Sequence, residues 1–325
     1  MSALQLLERI VMNFKSVFMV AFVGVYSVDT SAQEPSWVDK AVHNFGAPIN
    51  TMWEEGEISF AADGTMVYCS ERQDMAVAEG DPKDLYIAYF NEETGTWDDP
   101  VNMGIPINQP PRTDVDPLRF GDDREPWITS DGNTIYFKSD RLATTSPRNN
   151  NDIFVTHKVD GEWTEPELVG FPISTDQGDE HCPVIMQDGE TLCFASMRPG
   201  GYGGHDIWCS SPDGRGGWEE PVNQGPNINT AAAEFHFSQD TDGTVYFTSS
   251  RPGGYGGLDM YGAKSTGPNS WGPAWNLGPQ VNTAAADYCP ALPPGGDTMA
   301  WFSTREDNNM GGRDIFWTNK VNTQQ

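Results

Sequence analysis

SMRPGGYGGHDIW, residues Ser196–Trp208, and SSRPGGYGGLDMY, residues Ser249–Tyr261, are one string repeated with small changes, and their reading decides the fold. Each joins Ser-x-Arg to a Gly-rich loop and then to Asp-(Ile/Met)-aromatic. Working outward, the arginine recurs as Arg72, Arg141, Arg198, Arg251 and Arg305, and the aspartate as Asp84, Asp152, Asp206, Asp259 and Asp314. Two independent markers keep one rhythm, so the chain is five repeats of propeller-blade length. Upstream of each arginine lies a hairpin signal, Asp63-Gly64, Asp131-Gly132, Asp188-Gly189 and Asp242-Gly243, with Gly295-Gly296 in the fifth repeat. Asp-Gly supplies the positive φ angles that a two-residue hairpin needs.

Strand two of each repeat is apolar and aromatic, as in Ile135-Tyr136-Phe137, Leu192-Cys193-Phe194 and Val245-Tyr246-Phe247, and strand three follows the aspartate. A polar fourth segment carries Trp97, Trp163, Trp218 or Trp271 and leads to Gly-x-x-(Ile/Val)-Asn. The last repeat stops after its third strand at Asn319-Lys320, and its missing piece stands at the other end of the chain, in Trp37 and Phe45-Gly46-Ala47-Pro48-Ile49-Asn50. The expectation is an all-β, five-bladed β-propeller of four-stranded antiparallel blades, closed by an N-terminal strand that completes the last blade. A linear array of five sheets is the rival, and repeats without end caps disfavour it because open edges template aggregation.

Composition agrees. With 34 Gly, 24 Pro and 11 Trp, the chain is turn-rich and aromatic. Forty-seven acidic against 19 basic residues give a formal charge of −28, which repels phosphate backbones and excludes nucleic acid as a partner. The one sustained apolar run, Val17 to Val25, follows Lys15 and precedes the small residues Ser31 and Ala32. It is too short to span a bilayer and reads as a secretory signal over residues 1–33, leaving residues 34–325 as the propeller domain with no membrane span. A periplasmic or secreted monomer is expected. Cys69, Cys182, Cys193, Cys209 and Cys289 lack CxxC spacing, which argues against a zinc ribbon; an oxidising compartment permits a disulfide among them that sequence does not pair.

Pro126-Trp127-Ile128-Thr129-Ser130-Asp131-Gly132 and the stretch Arg251 to Tyr261 resemble the TolB-like, WD-repeat-like propeller family, whose blades carry Pro-x-(aromatic/Ile)-x-x-Asp-Gly, Ser-x-Arg and Gly-Gly-x-Asp-Ile-Tyr. The resemblance covers roughly residues 37 to 320. It implies the propeller fold and a role in envelope recognition and assembly, with an envelope protein, a peptide or an oligosaccharide as partner. The α/β domain that precedes the propeller in TolB itself has no counterpart here.

Chemistry is sought where repeats differ. The repeated Arg and Asp markers are read as structural, because one active site does not need the same pair in every blade; hydrogen bonds from arginine to Asp or backbone are expected to tie strand two to the following loop. The Gly-rich loops lack the Lys-Ser/Thr of a phosphate cradle, and Tyr202 and Tyr255 within them offer aromatic contacts to a sugar or peptide. Segments leading into strand one surround the channel mouth: Glu54-Glu55-Gly56-Glu57, Asp122-Asp123-Arg124-Glu125, Gly178-Asp179-Glu180-His181, Glu234-Phe235-His236 and Asp287-Tyr288. Glu57, Arg124, Glu125, Glu180, His181, Glu234, His236 and Asp287 are the candidate ligand-binding residues. Their carboxylates have three readings: solvation, a divalent cation such as calcium (His181 or His236 turning preference toward transition metals), and acid–base catalysis. Arg124 and His181 suit an acidic sugar or a peptide terminus. Neither Gly-x-Ser-x-Gly nor His-Glu-x-x-His is present. The reading is an exported binding module, with a glycoside hydrolase or lyase as the alternative.

Overall fold

A computed structural model describes residues 41–76, 83–109, 122–141, 151–306 and 309–320. The signal-like segment and Trp37 lie outside the described residues. Five antiparallel sheets follow one another, each opened by its innermost strand: Glu55–Phe60, Arg124–Ile128, His181–Ile185, Glu234–Gln239 and Asp287–Ala291. These five strands touch their neighbours in sequence order, and the fifth touches the first, so the ring is closed around a central channel. The last sheet runs Asp287–Ala291, Thr298–Ser303, Asp314–Asn319 and then His43–Asn44, with His43 opposite Trp317 and Asn44 opposite Phe316. The N-terminal strand therefore completes the fifth blade, as the motif count requires. Among the described residues no helix is long and apolar enough to cross a membrane.

Five apolar cores fill the spaces between blades. Tyr68 and Tyr86 of the first blade pack with Phe302 and Ile315 of the fifth, so the closing contact is a core of the same kind as the other four. Its neighbour, Met299, Trp301 and Phe316 against Tyr246 and Met260, joins blades five and four. Burying such side chains is the main driving force of the ring, since each full Phe or Trp truncation in a core costs about 3–5 kcal/mol.

The hairpins between the first two strands depart from the two-residue turn expected of Asp-Gly. Only the glycine takes a positive φ, +86° at Gly64 and +72° at Gly132, and its N–H returns to the carbonyl three residues back, Ala61 and Thr129. The aspartate stays on the ordinary side of the map because its carboxylate accepts the N–H two residues on, as Asp63 does from Thr65 at 2.9 Å.

The Asn ending each Gly-x-x-(Ile/Val)-Asn acts as a surrogate strand. Asn108 receives the Leu85 N–H at 2.8 Å and donates to the Leu85 carbonyl at 2.9 Å. Asn229 does the same with Ile207, Asn282 with Met260, and Asn50 with Ile315 across the chain closure. In the second blade Ser174 stands in, receiving only the Ile153 N–H at 3.3 Å. A further asparagine before the motif, Asn44, Asn102, Asn223 or Asn276, bridges this amide to the strand-three aspartate. That aspartate also caps the Gly-rich loop, Asp206 receiving the Tyr202 N–H at 2.5 Å. The loop passes so close to the next blade that a Cβ on Gly203 would lie 2.4 Å from the Ala231 backbone, and one on Gly256 would lie 1.9 Å from the Ala285 carbonyl oxygen. Glycine is required there by contact.

A carboxylate stands at the head of each innermost strand or just before it: Glu55, Asp123, Glu180, Glu234 and Asp287, each inaccessible to solvent. Glu234 receives the Thr230 N–H and hydroxyl at 2.8 and 2.7 Å and the Ser249 hydroxyl at 2.7 Å. Four of the five also meet the arginine of Ser-x-Arg, from 2.6 Å for Arg141–Asp123 and Arg305–Asp287 to 3.2 Å for Arg198–Glu180 and 3.6 Å for Arg251–Glu234. The same guanidinium donates to the carbonyl before Asn or Ser in the preceding turn, that of Ile107, Ile173, Ile228 or Val281. This is the Arg–carboxylate and Arg–backbone tie that the sequence implied. Arg72 breaks the pattern by pairing with Asp74 at 3.3 Å, so Glu55 has no guanidinium. Burial then pushes Glu55 up to about 7, against hydrogen bonds from Thr51 and Ser70 that pull it down.

Two outcomes follow. Asn50→Ala leaves the N–H of buried Ile315 unsatisfied, at about 1–3 kcal/mol, and removes one of the two bonds to its carbonyl, which still receives the Phe45 N–H; it is expected to lower the urea midpoint of the whole ring in one transition. Because the Glu55 value is raised on folding, its neutral form is the stabilising one. Its contribution is complete below the ordinary value of 4.5 and is lost as pH rises through about 7. Urea titrations across that window should show wild-type stability falling more steeply than that of Glu55→Gln; parallel curves would refute the assignment.

Candidate functional site

Directly after the head carboxylate, the first strand of every blade carries a β-bulge. Its register shifts between Gly56 and Ile58, Arg124 and Trp127, His181 and Val184, Phe235 and Ser238, and Tyr288 and Ala291. In each bulge one residue takes the left-handed conformation: Glu57 (φ +35°), Glu125 (+55°), Cys182 (+51°), His236 (+51°) and Cys289 (+65°). None is a glycine, so each stores local strain that the surrounding sheet must hold. The repeat thus sets five equivalent bulge positions around the channel, and the sequence fills them with two carboxylates, two thiols and an imidazole. The bulge side chains are tightly placed: Cys69 donates its S–H to Glu57, and the Cys182 N–H donates to Glu125 at 2.8 Å.

Residues one position earlier surround this ring. His181 Nδ1 contacts Glu125 at 3.0 Å, while its Nε2 faces Asp179 at 3.3 Å. His205 approaches the same Asp179 at 3.4 Å and stacks edge-on against His181, with Phe235 4.8 Å from the His205 ring. Burial would lower the His181 value, but Glu125 and Asp179 outweigh it and hold His181 at about 9, so it is an imidazolium at neutral pH. Burial likewise opposes ionisation of Glu125, yet His181 and more distant Lys138 keep it well below the usual carboxylate range. Arg124 pairs with Asp122 at 2.6 Å, and Lys138 reaches the same carboxylate at 2.7 Å. Glu57 is also lowered: burial raises it, and Lys83 and Arg124 bring it down. The accessible charges of this mouth are therefore already compensated within the protein.

Of the eight residues singled out from sequence, Glu57, Arg124, Glu125, His181 and His236 are brought together here. Glu180, Glu234 and Asp287 stand two positions before the bulge, as head carboxylates enclosed by Thr, Ser and Arg. The two groups look alike in sequence because both are acids near the start of strand one. Their separation becomes visible once Glu55 and Asp123, rather than Glu57 and Glu125, are aligned with Glu180. That alignment also brings in Cys182 and Cys289, which the spacing of the cysteines had not marked as site residues.

Open space lies at the other end of the channel. The hairpin turns surround a cavity of about 960 Å³ that extends between the second and third blades. Trp127, Tyr136 and Trp218 line it, half-buried, with Met186, Gln187 and Gln239. Gln187 reaches across to the next blade and donates to the Gln239 carbonyl at 2.9 Å. Nothing in the repeat pattern signals this site, since the lining residues occupy different strands and loops.

Cys193 and Cys209, paired across the second and third strands of the third blade, form a disulfide; Cys69, Cys182 and Cys289 are free and buried.

No protein-family model matches the chain, and no curated protein is similar to it in sequence. Solved structures are similar in fold. The α-L-arabinofuranosidase of Lactobacillus brevis matches 85% of this chain and 92% of its own at 11% identity, with a TM-score of 0.51. Zg3597, a family 117 glycoside hydrolase of Zobellia galactanivorans, matches 85% of this chain and 86% of its own at 16% identity and a TM-score of 0.50. TolB from Acinetobacter baumannii matches 82% of this chain at 14% identity and a TM-score of 0.47, and the chain spans 54% of that protein. At these identities the likeness is one of fold alone.

Proposed function

We propose that this chain is an exported binding propeller that takes an oligosaccharide or peptide segment on its hairpin face, with no hydrolytic centre at the opposite mouth. The hairpin-face cavity carries the reading. Its size, about 960 Å³, is at the upper end of the ~300–1,000 Å³ of ligand pockets, and its aromatic faces alternate with amides that can orient a polar chain. Ring faces of Trp127, Tyr136 and Trp218 suit sugar C–H surfaces or peptide side chains.

The hydrolase alternative needs one protonated and one ionised carboxyl group opposed across open space. At the bulge mouth Glu57 and Glu125 are both held ionised by neighbouring cations, whereas the carboxyl group raised to about 7, Glu55, is closed off inside its blade. We assign Glu57, Arg124, Glu125 and His181 to holding that mouth in place. Export is supported by the apolar run Val17 to Val25 and by the Cys193–Cys209 disulfide, which belongs in an oxidising compartment.

Calorimetric titration with neutral and acidic oligosaccharides and short peptides, with product analysis on every sample, tests this reading. Saturable binding without turnover is expected. Trp218→Ala should weaken it about tenfold, the worth of one stacked ring, while Glu125→Gln leaves it unchanged. Turnover that disappears in Glu125→Gln would replace the binding module with an enzyme. Thiol counting on protein recovered from its native compartment should give three free cysteines after denaturation and five after reduction; five in both would refute export through an oxidising compartment.

A further inference from the structure

We infer that the bulge ring is a transition-metal site, with Glu125, Cys182 and His236 as ligands to a zinc-type divalent ion on the channel axis. A carboxylate oxygen, the Cys182 sulfur and a His236 ring nitrogen lie within 4.8 Å of one another, each from a different blade. All three occupy the same left-handed bulge position, so their convergence follows from the ring and does not depend on a flexible loop. The unexplained group is His236. Both of its ring nitrogens are buried without a hydrogen-bond partner among the described residues, a cost that native structures rarely leave unmet. A coordinate bond to one nitrogen would supply the missing partner.

The donor set selects the ion. One oxygen, one sulfur and one nitrogen suit zinc, cobalt or copper and exclude calcium, which takes six to eight oxygens. Three protein ligands leave a fourth position, and the bulges place Cys289 and Glu57 in the same ring. Asp179, His181 and His205 also cluster, but there each histidine faces the Asp179 carboxylate, at 3.3 and 3.4 Å, and Asp179 also receives Asn151 at 2.8 Å. This inference is independent of ligand binding on the hairpin face, and either can fail alone.

Chelator-treated full-length protein titrated with Co²⁺ provides the test. The expected result is one equivalent bound, a thiolate-to-cobalt charge-transfer band, and displacement by Zn²⁺ but not by Ca²⁺. Cys182→Ser should abolish the band and His236→Gln should weaken binding by more than about a hundredfold, beyond the ~10–100-fold typical of groups that merely orient a ligand. Cys69→Ser, which alters a thiol outside the three ligands, should keep the band. Should the ligand variants fail to fold, alkylation of the folded wild type followed by peptide mass analysis is decisive: Zn²⁺ must slow labelling of Cys182. No band, a band that survives Cys182→Ser, or labelling of Cys182 indifferent to Zn²⁺ would overturn the assignment.

Discussion

A propeller of four-stranded blades must satisfy the outer backbone of every third strand, and in this chain an asparagine side chain supplies much of that pairing. Its amide presents one acceptor and one donor at nearly the spacing of a peptide group, so it receives the N–H and returns a bond to the C=O of one strand residue, as another strand would. Because the fourth strands themselves contribute only a few paired residues, Val101–Asn102, Glu167–Leu168, Val222–Asn223, Trp275–Asn276 and His43–Asn44, this side-chain pairing decides where each blade ends and the next begins. At the junction of the chain ends it falls to Asn50, whose partner Ile315 is remote in sequence.

From that anchor the rest is geometrically coupled. The turn holding the asparagine exposes a carbonyl to the arginine of the next Ser-x-Arg, and in four blades the same guanidinium reaches the head carboxylate of the innermost strand. The head carboxylate fixes where that strand starts, and the bulge follows two positions later. Strain at five non-glycine residues is tolerated because both sides of every bulge are pinned, by the carboxylate network before it and by the ladder to strand two after it. A repeated scaffold thereby presents one variable position per blade to the axis.

How much of this could be read in the sequence depended on repetition. Arg, Asp, Gly-Gly and Trp recur, so the number of blades, their strands and their closure by residues near Phe45 were legible. The Asp-Gly hairpins were legible as turns but not as to which residue would go left-handed, because the aspartate's own carboxylate supplies a competing local hydrogen bond. The mouth was half legible. Glu57, Arg124, Glu125, His181 and His236 were visible as departures from the repeat, whereas Glu180, Glu234 and Asp287 were drawn into the same set by an offset of two residues that only a register can resolve. Cys182 and Cys289 were hidden for the same reason. The hairpin-face cavity left no trace, since Trp127, Tyr136 and Trp218 come from three unrelated points of the repeat.

The comparison with sugar hydrolases is instructive for what the fold does and does not carry. Those enzymes share the ring at 11–16% identity, a level at which the likeness is one of fold. In this chain the two ends of the channel have opposite characters. One end is charged and internally compensated, with soft donors among its bulge residues; the other is open and lined by aromatic rings and amides. In the proposed reading the charged end takes an ion and the open end a chain molecule, a separation that follows from strand direction: every innermost strand begins with its carboxylate and bulge and finishes at its hairpin.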